Sequence, residues 1–265
     1  MRRRAAATRP RRRAAPAAAG APPERLQKLL ARAGLASRRE VEAWIRAGRL
    51  SVNGTPATLG TRAHTGDQVR LDGRLVRAPA AAGGAHVFVC HRSPGEELAA
   101  AIARLPRRAG RRFIAVSPMP RVDGGLELVT SNGALAESLQ RRVHVLTSEF
   151  GVRVRGELGE TQLTGVLGGE LDSGAQLTVS SCEAAGGEGA NRWYTVSVRG
   201  ASGKEVRQLF ERQGALVSRV LRTQLGPVVL ERTLGRGQAR ELGPEELREL
   251  LSAAAAEAEG PHAGG

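Results

Sequence analysis

Cysteine is almost missing from this chain. Cys90 and Cys182 are its two thiols, too few and too far apart for a zinc site or a disulfide framework. Long apolar runs are missing too. No stretch approaches membrane length and no signal-peptide core is present, so a soluble cytoplasmic protein without a membrane partner is expected. Acids are in short supply: 26 Asp and Glu stand against 40 Lys and Arg, a formal charge of +14. An excess of that size favours a polyanionic partner. Lysine itself is scarce, with only Lys28 and Lys204, so the positive charge is almost all arginine. A GC-rich genome accounts for much of this, since alanine and glycine are in excess alongside arginine. Arginine is nonetheless the better bidentate phosphate ligand, and the bias does not count against RNA.

Residues 1–22 hold seven arginines and no acid among many alanines and prolines. That composition cannot bury a core and reads as a disordered basic arm. An arginine-rich organellar transit peptide has a similar make-up and stays open as an alternative. From Pro23 a pattern begins. Leu26, Leu29, Leu30 and Ala33 share one helical face, with Gly34 as C-terminal cap, while Arg25, Lys28 and Arg32 share another. Ser37-Arg38-Arg39-Glu40 is a capping box opening a second helix with Val41, Trp44 and Ile45 as its apolar side, ended by Gly48. Asn53-Gly54 makes a hairpin turn, and Val69, Leu71 and Asp72-Gly73 give a further strand and turn. Arg25, Lys28, Arg32, Arg38, Arg39 and Arg46 are the candidate RNA contacts of this module, although a solvated charged face would carry the same residues. The run from Glu24-Arg25-Leu26-Gln27-Lys28 through Ala36-Ser37-Arg38-Arg39 to Val52-Asn53-Gly54 resembles the S4-type RNA-binding domain. The resemblance implies a grip on structured RNA through phosphates and groove shape, in keeping with many arginines and few aromatics.

An Ala/Gly/Pro linker at residues 78–85 separates residues 23–77 from a larger domain at 86–251, and residues 252–265 read as a disordered tail. In the larger domain, strands are expected over His86–Cys90, Phe113–Val116, Gly151–Arg155, Trp193–Val198 and Val217–Leu225. A helix is expected near Thr161–Leu167, and another carries Val206, Leu209 and Phe210 on one face and stops at Gly214. The fold class is α+β around a mixed sheet. His64, His86, His91, His144 and His262 show neither metal nor triad spacing.

Pro120-Arg121-Val122-Asp123-Gly124-Gly125-Leu126-Glu127-Leu128-Val129-Thr130-Ser131-Asn132-Gly133 is the most informative run. It reads as an Arg-x-Asp turn feeding an alternating strand, closed by an Asn-Gly turn. A carboxylate beside an arginine at a strand end is a charged, oriented nucleophile. With Ser148-Glu149-Phe150 and Gly203-Lys204-Glu205-Val206-Arg207, this run resembles, in order and spacing, the ribosomal-RNA pseudouridine synthases of the RsuA/RluB type. The resemblance spans roughly Pro23 to Leu250 and implies a mostly antiparallel sheet, isomerisation of a uridine in ribosomal RNA, and no metal or cofactor. It assigns Asp123 as nucleophile, Arg207 as its ion-pair partner and Phe150 as the wall on which the base stacks. Arg121 and Lys204 are further candidate RNA contacts, although Arg121 could simply cap a strand and Lys204 could be a solvated residue at a helix start. The partner expected is therefore ribosomal RNA alone, bound by a monomer.

The chain departs from the family at two points. The family pattern Gly-Arg-Leu-Asp-x-x-Thr-x-Gly-Leu-Leu-Leu fits Arg121-Val122-Asp123 only with three residues deleted before Gly125. An ungapped match puts Pro120 at the nucleophile and Asp123 at the threonine, which would leave an RNA-binding ribosome-assembly factor without catalysis. The threonine is absent on either alignment, and the doubled glycine is expected to supply the turn. Phe150 replaces a tyrosine, keeping the ring and losing the hydroxyl. Phe210 is expected in the core. A third reading, less favoured, likens the front module to a small heat-shock RNA-binding protein with the rest as scaffold.

Overall fold

The structure is a computed structural model that describes residues 22–76, 86–106, 112–187 and 189–256. These residues fall into two compact units. The basic arm up to residue 21, the linker at 78–85 and the tail beyond residue 256 lie outside the described residues.

The front unit starts with β1 (Glu24–Arg25) and α1 (Leu26–Arg32), then α2 (Arg38–Arg46). Leu26, Leu29 and Leu30 of α1 are buried, as are Val41 and Ile45 of α2. The capping box at the start of α2 forms as expected: the Glu40 amide donates to Ser37 Oγ at 3.1 Å and the Ser37 amide donates back to Glu40 Oε2 at 3.3 Å. Strands β2 (Leu50–Val52), β3 (Thr55–Pro56), β5 (Val69–Leu71) and β6 (Arg74–Leu75) form one small antiparallel sheet, while β4 (Arg62–Ala63) pairs with β1. Asn53 and Gly54 both take positive φ, 51° and 88°, as the expected hairpin turn requires, and Asp72-Gly73 does the same. One residue differs from expectation. Arg25 lies opposite Arg62 in β1 rather than on the α1 helix, because the chain enters the helix only at Leu26.

The larger unit is a nine-stranded mixed sheet with helices on it. Its elements are β7 (Val87–Arg92), α3 (Leu98–Ala103), β8 (Ile114–Ala115), β9 (Gly124–Thr130), α4 (Gly133–Arg142), β10 (Thr147–Arg155) and α5 (Glu160–Gly168). There follow β11 (Thr178–Ala184), β12 (Asn191–Arg199), α6 (Gly203–Arg212), β13 (Leu216–Leu225), β14 (Val228–Val229), β15 (Ala239–Glu241) and α7 (Pro244–Ala256). The main path runs β11-β12-β10-β13-β9-β7-β15, with β14 on β13 and β8 on β9. The β13–β9 pair is parallel and the other described pairs are antiparallel, so the sheet is mixed and mostly antiparallel.

Alternation fixes what each face buries. Phe150, Val152 and Val154 of β10 join Tyr194, Val196 and Val198 of β12 beneath Val206, Leu209 and Phe210 of α6. Burying each such side chain fully contributes ~1.5–3 kcal/mol. At the β9–β7 end, Leu126 and Leu128 face Leu139, Leu250 and Ala254, while Val129 faces Phe88 and Leu105 on the other side. Strand β9 is therefore covered on both faces and all seven of its residues are buried, not half of them.

Two boundaries are corrected. Asn132 does not turn a hairpin: its Oδ1 accepts from the amides of Ala134 and Leu135, each at 3.0 Å, and caps α4. Asparagine serves either purpose, and here the helix formers after Gly133 decide it. The tail expected from Ser252 begins later, since α7 continues to Ala256 and Ala254 is fully buried.

Candidate active site

The loop before β9 is threaded between β7, β13 and the start of α6, and the two glycines make that possible. A Cβ on Gly124 would sit 2.5 Å from the Arg92 carbonyl oxygen, and one on Gly125 would sit 2.3 Å from that of Arg222. Gly125 also has φ +90°. The expectation that this pair forms the turn is thus corrected. Both glycines lie within β9, where close approach of backbone demands them, and the turn falls earlier, with the Asp123 amide donating to the Pro120 carbonyl at 3.1 Å. Gly203 plays the matching part on α6, since a Cβ there would lie 2.5 Å from Met119 Cε.

Asp123 comes directly after that turn and is completely buried. Its Oδ1 accepts from Arg207 Nη2 at 2.5 Å and from the Val220 amide at 2.9 Å, while Oδ2 accepts from Arg207 Nε at 3.4 Å. The neighbouring pairs of the ladder are Leu221 with Gly124 and Arg222 with Gly125, so the carboxylate extends the β13–β9 pairing by one more acceptor. Arg207 stands one turn into α6, whose start is fixed by a capping box of Ser202 and Glu205. A third Arg207 bond runs from Nη1 to the Val217 carbonyl at 2.8 Å. Burial works against the guanidinium charge, but the Asp123 hydrogen bond and charge, with Glu211 behind, outweigh it and raise its pKa. A buried carboxylate so gripped is a fixed anion shielded from water, suited to attack on carbon when a substrate reaches it.

Beneath the loop lies a feature that the motif reading missed. Glu127, in the middle of β9, is wholly buried between Arg92 and Arg222, each 1% exposed. Arg92 Nε donates to Glu127 Oε1 at 2.7 Å, and Arg222 Nη2 lies 3.6 Å from Oε2. The carboxylate also accepts from the Met119 amide at 3.1 Å. Both guanidiniums then turn to backbone. Arg92 donates to the carbonyls of Glu96, Met119 and Pro120 at 2.8, 2.9 and 2.8 Å, and Arg222 to those of Ser117 and Leu126. The triad thus grips the chain from Ser117 to Pro120, and the Pro120 carbonyl in turn holds the Asp123 amide. Burial pushes the Glu127 carboxyl upward against the pull of Arg222 and Arg92, and pushes Arg222 down to about 10. The sequence did carry a signal: an acid inside Leu126-x-Leu128-Val129 has no place in a two-sided core without a cation.

The remaining candidates fall in different places. Phe150 is fully buried in the core with Tyr194 and Phe210, so in this conformation its ring offers no open face to a base. Phe210 is buried as expected. Arg121 points outward, paired with Glu97 at 3.0 Å and bonded to the Gly95 carbonyl. Lys204 is exposed at the start of α6. Arg38, Arg39 and Arg46 are exposed, Arg46 within 3.7 Å of Glu42, while Lys28 and Arg32 of α1 are half-buried. Among the described residues no three His, Cys, Asp or Glu side chains gather as a metal site, and no helix is long and apolar enough to cross a membrane.

Residues 24–69 match the S4 domain family. Over 239 residues the chain is 39% identical to the ribosomal large subunit pseudouridine synthase B of Pseudomonas aeruginosa, covering 86% of this chain and 62% of that one. The protein of the same name from Escherichia coli K12 is 36% identical, with 86% and 83% covered. The chain belongs to this pseudouridine synthase family. It spans less than two thirds of the Pseudomonas relative but most of the Escherichia one. A crystal structure of a pseudouridylate synthase shares the fold at 17% identity, with a TM-score of 0.57 over 85% of this chain and 99% of the other.

Proposed function

We propose that this protein isomerises a uridine of ribosomal RNA to pseudouridine, with Asp123 as nucleophile and Arg207 as the cation that keeps it ionised. The single observation carrying this is the buried Asp123–Arg207 pair, closed at 2.5 Å and seated on the Val220 amide. The reaction breaks the bond between ribose and N1 of uracil and rejoins the same base through C5, so no atom is gained or lost. The base must leave its stack to expose that bond, and its unstacking has to be offset by apolar contact in the site. Val122, 62% exposed beside Asp123, offers such contact at the surface. The front unit docks the RNA through Arg25, Lys28, Arg32, Arg38, Arg39 and Arg46, and Arg121 and Lys204 contact it nearer the reacting uridine. The protein acts as a cytoplasmic monomer on this reading.

A second reading, RNA binding without turnover, starts from the complete burial of Asp123 and Phe150. One experiment separates the two. Purified protein is incubated with ribosomal RNA transcripts, and pseudouridine is mapped by carbodiimide treatment and primer extension. The expected result is one modified position with the wild type and none with Asp123→Asn, which keeps the shape and RNA affinity but is a far poorer nucleophile. Modification that survives in Asp123→Asn would remove Asp123 from the chemistry, and none with the wild type would favour the second reading.

A further inference from the structure

The outer face of the β12–β10–β13 part of the sheet carries an unclaimed row of side chains. Trp193 pairs in register with Arg153, and Arg153 with Arg219, so the three lie across three neighbouring strands. Alternation puts them on the side opposite Tyr194, Val154 and Val220, which enter the core. Both helices packed on this end of the sheet send their buried residues the other way: Val166 of α5 and Val206, Leu209 and Phe210 of α6 all join that core. All three residues of the row are half-buried. The indole lies over the next strand at Gly151, where an added Cβ would meet Trp193 Cε3 and Cζ3 at 3.6 Å.

Charge on this face is uneven. Neither Arg153 nor Arg219 has a side-chain ion pair or hydrogen bond among the described residues. The acids lie outside the row: Glu149 is at the far end of β10 holding Thr223 Oγ1 at 2.7 Å, and Glu183 is on β11 opposite Thr195. Arg219 immediately precedes Val220, whose amide holds Asp123. An aromatic face at one end of a row, with two uncommitted guanidiniums following it, is the pairing that takes a base by stacking and its phosphates by charge.

We infer that the Trp193–Arg153–Arg219 row binds unpaired nucleotides of RNA, a base against the indole and the backbone along the arginines. This rests on RNA being the substrate but not on turnover. The face fits RNA better than a second copy of the chain, because two copies meeting here would bring four arginines together in a protein of charge +14.

The test uses the full-length chain with 5-fluorotryptophan at its two tryptophans, the Trp44 signal being assigned with Trp44→Phe. The probe is a single-stranded oligoriboadenylate of about 20 nucleotides, which stacks without sequence readout. The Trp193 fluorine signal should move on saturation. Trp193→Ala should weaken affinity between about fivefold and a hundredfold, Trp193→Phe should keep most of it, and Arg153→Gln or Arg219→Gln should lower the salt slope by about 0.7. A Trp193 signal that RNA leaves in place overturns the proposal, as does Trp193→Ala binding within about twofold of the wild type. So does a signal that moves only as protein concentration rises, which would mark contact between copies. Should Trp193→Ala not fold, the wild-type signal alone decides. Binding is read without turnover, so a chain that forms no pseudouridine yet moves the Trp193 signal loses the isomerase reading and keeps this one.

Discussion

Replacing Glu127 by leucine would remove the anion that two buried arginines share. Nothing else in the core can take its place, since Arg92 and Arg222 are each 1% exposed and their other donors already serve main-chain carbonyls. Breaking a buried ion pair from one side typically costs about 3–5 kcal/mol. In a unit of this size each kcal/mol lowers the midpoint by roughly 2–4 °C, so a fall of roughly 6–20 °C is expected. Apolar replacement of a whole buried triad is often harmless, but here it would not be. Six main-chain carbonyls, that of Arg121 among them, would lose guanidinium donors, each at about 1–3 kcal/mol where no other donor serves it.

The assay is thermal unfolding followed by tryptophan fluorescence in a Trp44→Phe background, so that Trp193 reports on the larger unit alone. Glu127→Gln is the companion variant, because it keeps the shape and one acceptor for Arg92 while discarding the charge. It should lose most of the same stability, and its turnover should fall further than stability explains, since the triad holds Met119 and Pro120 and Pro120 holds the Asp123 amide. A Glu127→Leu protein melting within about 2 °C of wild type would refute the reasoning, as the arginines would then not need their counter-ion.

Arg207→Ala should destabilise by about 3–5 kcal/mol in urea unfolding, because it leaves Asp123 buried with only the Val220 amide. Adding Asp123→Asn to it should recover a large part of that loss, and a double variant no more stable than Arg207→Ala would show that the pair is not coupled. Burial pushes the Cys90 thiol up to about 12 and Cys182 up to about 11, so iodoacetamide at neutral pH should label neither in the folded chain and both in urea. Rapid labelling of Cys90 in the native protein would mean that β7 opens far more readily than its burial implies.

What the sequence made legible follows from where the information sits. A helix start announces itself locally: Ser37 with Glu40 is a complete capping box, and α2 begins where those residues say, while α6 starts at the Gly203 of its motif with Ser202 as a cap that the structure adds. Asn53-Gly54 was readable for the same reason, since a two-residue turn between short strands needs positive φ at both positions. Asn132-Gly133 looked alike and did something else, because the outcome depends on whether the following segment is pulled into a helix against α7 and β8, and that is not local. The pairing of Asp123 with Arg207 was anticipated from motif order across 84 residues, a separation that spacing alone could not bridge.

The triad shows the opposite limit. Arg92, Glu127 and Arg222 come from three strands that only the sheet order β13-β9-β7 places side by side. Each looks ordinary in its own stretch: an arginine ending a strand, an acid in an apparent alternation, and one arginine among many. The alternation itself misled, for an acid at every other position reads as a solvent face until the second layer of helices is known. Yet the triad reaches the loop that carries Asp123. The guanidinium of Arg92 holds the Pro120 carbonyl at 2.8 Å, and that carbonyl accepts from the Asp123 amide at 3.1 Å. Buried charge in the core therefore helps to fix where the Asp123 carboxylate sits, and its position depends on Glu127 as well as on Arg207.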